Sequence, residues 1–345
     1  MNKEQLLKYC GSLDQAVSVR PVTYADGRAN GLRAVQVKNG PLEYTLMADK
    51  CLDPAELRYK GLNMSFLSKP GLQGRNPYDT HGGEAIRSIM GGAMFTCGFE
   101  NIHGPRTVDG EEYPMHGRMR TTPVEKLSMD ARFEGEDYAA VVSGEAREAA
   151  LFGQNMVLRR TVSSSYGESA IRFRDEIENQ AFRPEALCFL YHINAGYPFL
   201  EAGCRFLIPH TKCEYRTEES AAMLGKHLVT TEPIDNAPEQ VYLYTPAAHS
   251  DGSTFAALVN DRLGLALCVR WNVNQIPYLT QWRSMASGDY AVALEPTNAD
   301  FDSRESANTE ILQPLQTHVN EFSICVAEGP EAIAALEAEY AALMG

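Results

Sequence analysis

An all-β sandwich or barrel is the fold class this sequence predicts, and three observations carry the prediction. Short runs alternating apolar and polar residues recur along most of the chain, clusters of Gly, Pro, Asn and Asp separate them, and no long 3.6-residue periodicity intervenes before the C-terminal tail. The 345 residues would suffice for two domains, but no composition break or flexible linker divides the middle. One large sandwich is expected over residues 17–328.

Residues 2–10 read as a short helix with Leu6 and Leu7 on one face, closed by Gly11, inside an N-terminal extension of residues 1–16. From Val17 the chain turns to VSVRPVTYADGRANG, LRAVQVKNG and LEYTLMADKCLDPAELRYKG, where DGRANG and KNG have the composition of hairpin turns. The stretch from Ser68 to Glu112 is the longest without pattern and is rich in Gly, Pro, Asn and His; a loop of that length is expected to serve function. Strand-like runs resume with AAVVSGEAR, MVLRRTVSSS, AIRFRDEIEN, LCFLY, VYLYTP, FAALVND, LGLALCVRWN, YAVALEP and FSICVAE. Residues 329–345, with Pro330 at the start of an alanine-rich segment, read as a C-terminal helix packed on the same domain.

Composition narrows the function classes. With 44% hydrophobic and 22% charged residues the chain can bury a substantial core, and a formal charge of −14 without a basic run disfavours nucleic acid or an anionic membrane surface as partner. Eight scattered cysteines show neither a C-x-x-C pair nor zinc-site spacing, which suits small buried hydrophobes in a reducing compartment. The N-terminus lacks an apolar signal region and no stretch approaches a membrane span, so a cytoplasmic protein is expected.

His192 follows the apolar run LCFLY and precedes Asn194, Gly196 and Pro198, so it reads as the last residue of a buried strand beside a loop. An imidazole there either meets a ligand or is buried and bonded to a backbone carbonyl. Glu295 has the same posture in YAVALEPTN. A carboxylate and an imidazole facing one cavity can divide acid and base work, because their intrinsic pKa values lie about two units apart. Gly91 and Gly92 let backbone pack closely, while Arg87, Asn101, His103, His116, Arg118 and Arg120 supply donors for a polar ligand. Neither a P-loop nor a dinucleotide fingerprint is present. His81, His210, His227, His249 and His318 read as surface or turn residues.

The motifs ADKCLD (48–53), GGAMFTCGFENIHGP (91–105), PMHGR (114–118), LYHINAGYP (190–198), PEQVY (238–242), QW (281–282) and LEPTN (294–298) together resemble the aldose 1-epimerase, or galactose mutarotase-like, superfamily, and in detail its DUF4432 branch. That resemblance implies a β-supersandwich with a sugar cleft on a concave sheet, and an isomerase acting on a small-molecule sugar. It implies His192 as general acid, Glu295 as general base and His116 as the histidine near the ring oxygen. It also puts Arg120 at the arginine of H-G-x-x-R and Arg87 at an arginine before paired glycines, both suited to a sugar hydroxyl or an anionic substituent. Asn101, His103 and Arg118 would join them in binding, and Trp282, Trp271, Tyr191 and Tyr197 could stack on a sugar ring or belong to the core. LYHINAGYP replaces the galactose mutarotase pattern T-N-H-x-Y-F, which leaves sugar preference open.

The implied mutarotation uses no metal or organic cofactor. A zinc or manganese site from His103, His116, His192 and Glu295 ranks below that reading. Two further readings stay open: a keto-sugar isomerase or epimerase using the same pair, and a non-catalytic carbohydrate-binding protein. The edge strands leave room for a homodimer.

Overall fold

A computed structural model describes residues 3–74 and 81–345; residues 75–80 of the unpatterned stretch, and the first two residues of the chain, lie outside the described residues. The molecule is built on antiparallel sheets, as the alternating runs predict. The largest orders its eight strands as Glu125–Glu134, Asp137–Ala149, Asn155–Ser165, Ala170–Asn179, Thr317–Glu328, Leu265–Asn272, Ser253–Asn260 and Arg205–Leu207. A second runs His210–Tyr215, Gln240–Pro246, Tyr278–Ser284, Ala291–Thr297, Glu185–Ala195 and Glu310–Leu312, with Met94–Phe99 also paired to Glu185–Ala195. A third, five-stranded meander covers residues 18–63.

Side-chain alternation sorts the core. Along Glu185–Ala195, Leu187, Phe189, Tyr191 and Ile193 enter the main apolar core with Phe173, Phe322 and Leu294, while Cys188 and Leu190 join Phe95, Cys97 and Met90 on the opposite face. His192 shares that second face by its even position. The helix Pro330–Met344 packs Ile333 and Leu336 against Leu207, Phe255 and Cys268 of the eight-stranded sheet.

Inside the main core lies an ion cluster. Arg160 is fully buried and donates to both Asp175 oxygens at 2.8 and 2.7 Å, to Asp53 at 2.7 Å and to the Thr96 hydroxyl at 3.0 Å. Tyr191 donates to Asp175 at 2.8 Å, so the cluster ties the ADKCLD segment to the strands carrying Phe95 and His192.

Several expectations need correction. The N-terminal helix spans Lys3–Tyr9 and buries Leu6 but leaves Leu7 exposed, since adjacent residues cannot share one narrow face. Within 68–112 the chain forms the strands Gly91–Gly92, Met94–Phe99 and Arg106–Val108, short enough to escape periodicity. His227 lies in a turn but is buried and bonded to the Tyr244 hydroxyl at 2.8 Å, and His318 lies inside the strand Thr317–Glu328 and bridges Glu310 and Asn320, so neither is a surface residue. Tyr191 and Trp271 are core residues, the latter donating to the Ile276 carbonyl.

Candidate active site

His192 and Glu295 are brought together by strand register. The strands Glu185–Ala195 and Ala291–Thr297 pair Leu190 with Thr297 and Ile193 with Leu294, which sets His192 opposite Glu295. Both lie inside their strands, not at the ends read from sequence: Asn194 continues its strand, and Pro296 occupies a ladder position beside Leu279. His192 Nε2 is 3.0 Å from Glu295 Oε1, yet the carboxylate oxygen accepts no hydrogen bond of ordinary geometry. The row extends both ways across the sheet: Phe95 pairs with His192 and stacks on its ring at 4.3 Å, and Thr280 pairs with Glu295. Trp282 closes a further side, its ring 5.6 Å from the imidazole.

Two loops bring more imidazoles to this row. Asn101 donates to the carbonyls of Gly104 and Pro114, both at 2.9 Å, and so clamps the ENIHGP turn to PMHGR. The His116 amide donates to the His103 carbonyl at 2.9 Å, and both histidines hold left-handed backbone, with φ of 58° and 60°. Gly117 explains the glycine of the motif: a Cβ there would stand 2.4 Å from the Gly98 carbonyl oxygen, while the Gly98 amide donates to the His116 carbonyl at 3.1 Å. The His116 ring then lies 6.1 Å from that of His192, edge-on.

Burial, then the positive charges of Arg216 and Arg106, lowers the His103 pKa to about 3. Burial, then His192 and His103, holds His116 well below the ordinary imidazole range. Both rings are therefore neutral in ordinary buffers. A set of buried polar atoms converges here without hydrogen-bond partners: His103 Nε2, His116 Nδ1, His192 Nδ1, Thr280 Oγ1 and Glu295 Oε1. An unpaired buried polar atom costs about 1–3 kcal/mol, so five in one place are a concentration of polar groups that the fold itself leaves unsatisfied.

The model of a domain of unknown function, DUF4432, matches residues 29–325. The chain belongs to the DUF4432 family. Among solved structures, this DUF4432 chain is similar to a candidate aldose 1-epimerase from Klebsiella pneumoniae, at 22% identity and a TM-score of 0.90, covering 100% of this chain and 91% of that one. It is also similar to a galactose mutarotase-like protein from Clostridium acetobutylicum (13% identity, TM-score 0.61, 91% and 99% covered). A galactose 1-epimerase from Lactobacillus acidophilus matches at 13% identity and a TM-score of 0.58, with 91% and 100% covered. These likenesses show the galactose mutarotase-like β-sandwich fold. No curated protein matches the chain.

The other residues singled out from sequence take varied places in the DUF4432 fold. Trp282 is half-buried at the site and donates to Glu239 at 2.8 Å. Arg120 is buried, donates to the Ser88 hydroxyl at 3.3 Å, and its charge contributes to the lowering of His116. Arg118 turns to Glu100 in a close ion pair. Arg87 pairs with Glu84 at 2.7 Å on the surface, away from the histidines, and Tyr197 is 75% exposed. Phe95, Thr280 and Arg216 were not singled out; Phe95 lies within the GGAMFTCGFENIHGP motif, while Thr280 and Arg216 carry no local signal. His192 and Glu295 are only 7% and 2% exposed, while the rings beside His192, those of His116 and Trp282, are part-exposed. Among the described residues, no three His, Cys, Asp or Glu side chains are grouped to hold a metal ion, and no helix is long and apolar enough to cross a membrane.

Proposed function

We propose that the protein is an isomerase of the aldose 1-epimerase type, interconverting the anomers of a monosaccharide or modified monosaccharide. The supporting observation is the His192–Glu295 pair, set face to face by register among unpartnered polar atoms. In this reading the Glu295 carboxylate takes the proton of the anomeric hydroxyl while the imidazolium of His192 gives one to the ring oxygen. The bond between C1 and the ring oxygen breaks, C1 becomes an aldehyde carbon, and rotation about C1–C2 presents its other face. Reclosure returns both protons. Neutral His116 and His103 then serve as hydrogen-bonding partners for sugar oxygens, and Trp282 packs on the ring.

Exchange NMR on a panel of aldoses tests the proposal. The wild-type protein should accelerate anomer exchange of at least one sugar, and His192→Ala or Glu295→Gln should each lose about 10²-fold or more. A wild type no faster than the double variant on every sugar would refute it. Deuterium entering a carbon position in heavy water would instead mean that a proton leaves carbon, as a keto-sugar isomerase requires.

A further inference from the structure

Arg216 follows the strand His210–Tyr215, its amide held by the Val241 carbonyl at 3.1 Å, and is exposed. Its guanidinium lies against the ENIHGP turn: Nη2 is 3.6 Å from the position a Cβ would take at Gly104, the residue after His103. The charge is near enough to disfavour protonation of both His103 and His116.

The neighbouring guanidinium groups are engaged. Arg106 pairs with Glu305 and donates to the Phe301 carbonyl, Arg118 pairs with Glu100, Arg304 donates to the Glu100 carbonyl, and Arg120 donates to Ser88. Among the described residues Arg216 makes no side-chain hydrogen bond or ion pair; the acidic Glu218 and Glu219 just after it do not bond to it. A full positive charge is thus left uncompensated in a chain of net charge −14, beside two uncharged imidazoles that offer unpaired ring nitrogens. The guanidinium is exposed to solvent and therefore available to a ligand entering beside this turn. A negatively charged group is the complement of that free charge, and without such a cation the acidic molecule would repel an anion.

We infer that the sugar carries an anionic substituent, a carboxylate, phosphate or sulfonate, and that Arg216 recognises it as a specificity-determining residue. This rests on the isomerase reading for the word substrate, but the recognition itself is a matter of binding.

The test therefore reads binding and turnover separately. Calorimetric titrations with D-glucose, D-glucuronate, D-galacturonate, D-glucose 6-phosphate and a 6-sulfonated glucose, alongside anomer exchange on the same sugars, compare wild type with Arg216→Met. The expected result is that at least one anionic sugar binds about tenfold or more tighter than D-glucose. Arg216→Met should erase that margin, as should raised salt in the wild type. The identity of the best anion tells a uronate from a phosphate or a sulfonate. No preference for any anionic sugar, or a preference untouched by Arg216→Met, overturns the inference while leaving anomer exchange standing. Selective binding with no exchange of any sugar upholds the role of Arg216 and removes the isomerase reading. Arg216 is exposed, so the variant's unfolding temperature should match the wild type and show that it folds.

Discussion

Thr280→Val offers a test with opposite signs for stability and binding. The Thr280 hydroxyl is 1% exposed, stands across the ladder from Glu295 and has no hydrogen-bond partner. Valine keeps the shape and removes the unpaired oxygen, relieving a penalty of about 1–3 kcal/mol. For 345 residues the entropy of unfolding is about 0.7 kcal/mol/K, so the unfolding temperature should rise by about 1–4 °C. If the hydroxyl meets the ligand, the same change forfeits one net hydrogen bond, and binding of the sugar that exchanges fastest should weaken about 2- to 10-fold. Scanning calorimetry and titration calorimetry on one preparation read both. A fall in unfolding temperature of 2 °C or more would show that the hydroxyl is satisfied within the folded protein, and unchanged affinity would show that it does not meet the ligand.

Arg160→Met strands two carboxylates in the core, since Asp53 and Asp175 are both fully buried; a loss of about 3–5 kcal/mol, or roughly 4–7 °C, should appear on thermal unfolding. Burial, then the Glu100 carboxylate, pushes the Glu148 pKa from 4.5 to about 8. The folded protein therefore holds a proton that the unfolded chain releases, and this contribution to stability is full below about pH 4.5 and lost as pH rises through 8. Glu148→Gln should flatten that decline, gaining on the order of 4 kcal/mol over wild type near pH 8.5 in denaturant titrations; an unchanged slope would count against it. Gly117→Ala should destabilise far more than Gly167→Ala, because both have positive φ but only the first meets backbone, at 2.4 Å. Equal unfolding temperatures for the two variants would contradict the close packing of the H-G turn.

The fold class was legible because alternation is a local property, and runs such as LCFLY and YAVALEP lie where strands form. His192 and Glu295 were legible as two residue types in two motifs, but not as cross-strand neighbours. Register depends on hydrogen bonds between segments about a hundred residues apart, and Asn194 and Pro296, which suggest chain breaks, sit inside strands. Pro296 can do so because the ladder to Glu185–Ala195 skips the two positions between Leu190–Thr297 and Ile193–Leu294, where a missing N–H is tolerated. Arg216 was illegible for a related reason: its meaning comes from Gly104 and His103, which only the folded chain sets beside it. Arg87 shows the converse, a motif position whose side chain turns to the nearby Glu84.

Because His192 and Glu295 stand opposite each other on neighbouring strands of one sheet, their spacing is maintained by backbone. The parts that would judge which sugar is accepted, the turns around His103 and His116 and the arginine after Tyr215, come from connections outside that ladder. In the isomerase reading, rewriting those connections changes the sugar accepted and leaves the spacing of His192 and Glu295 untouched.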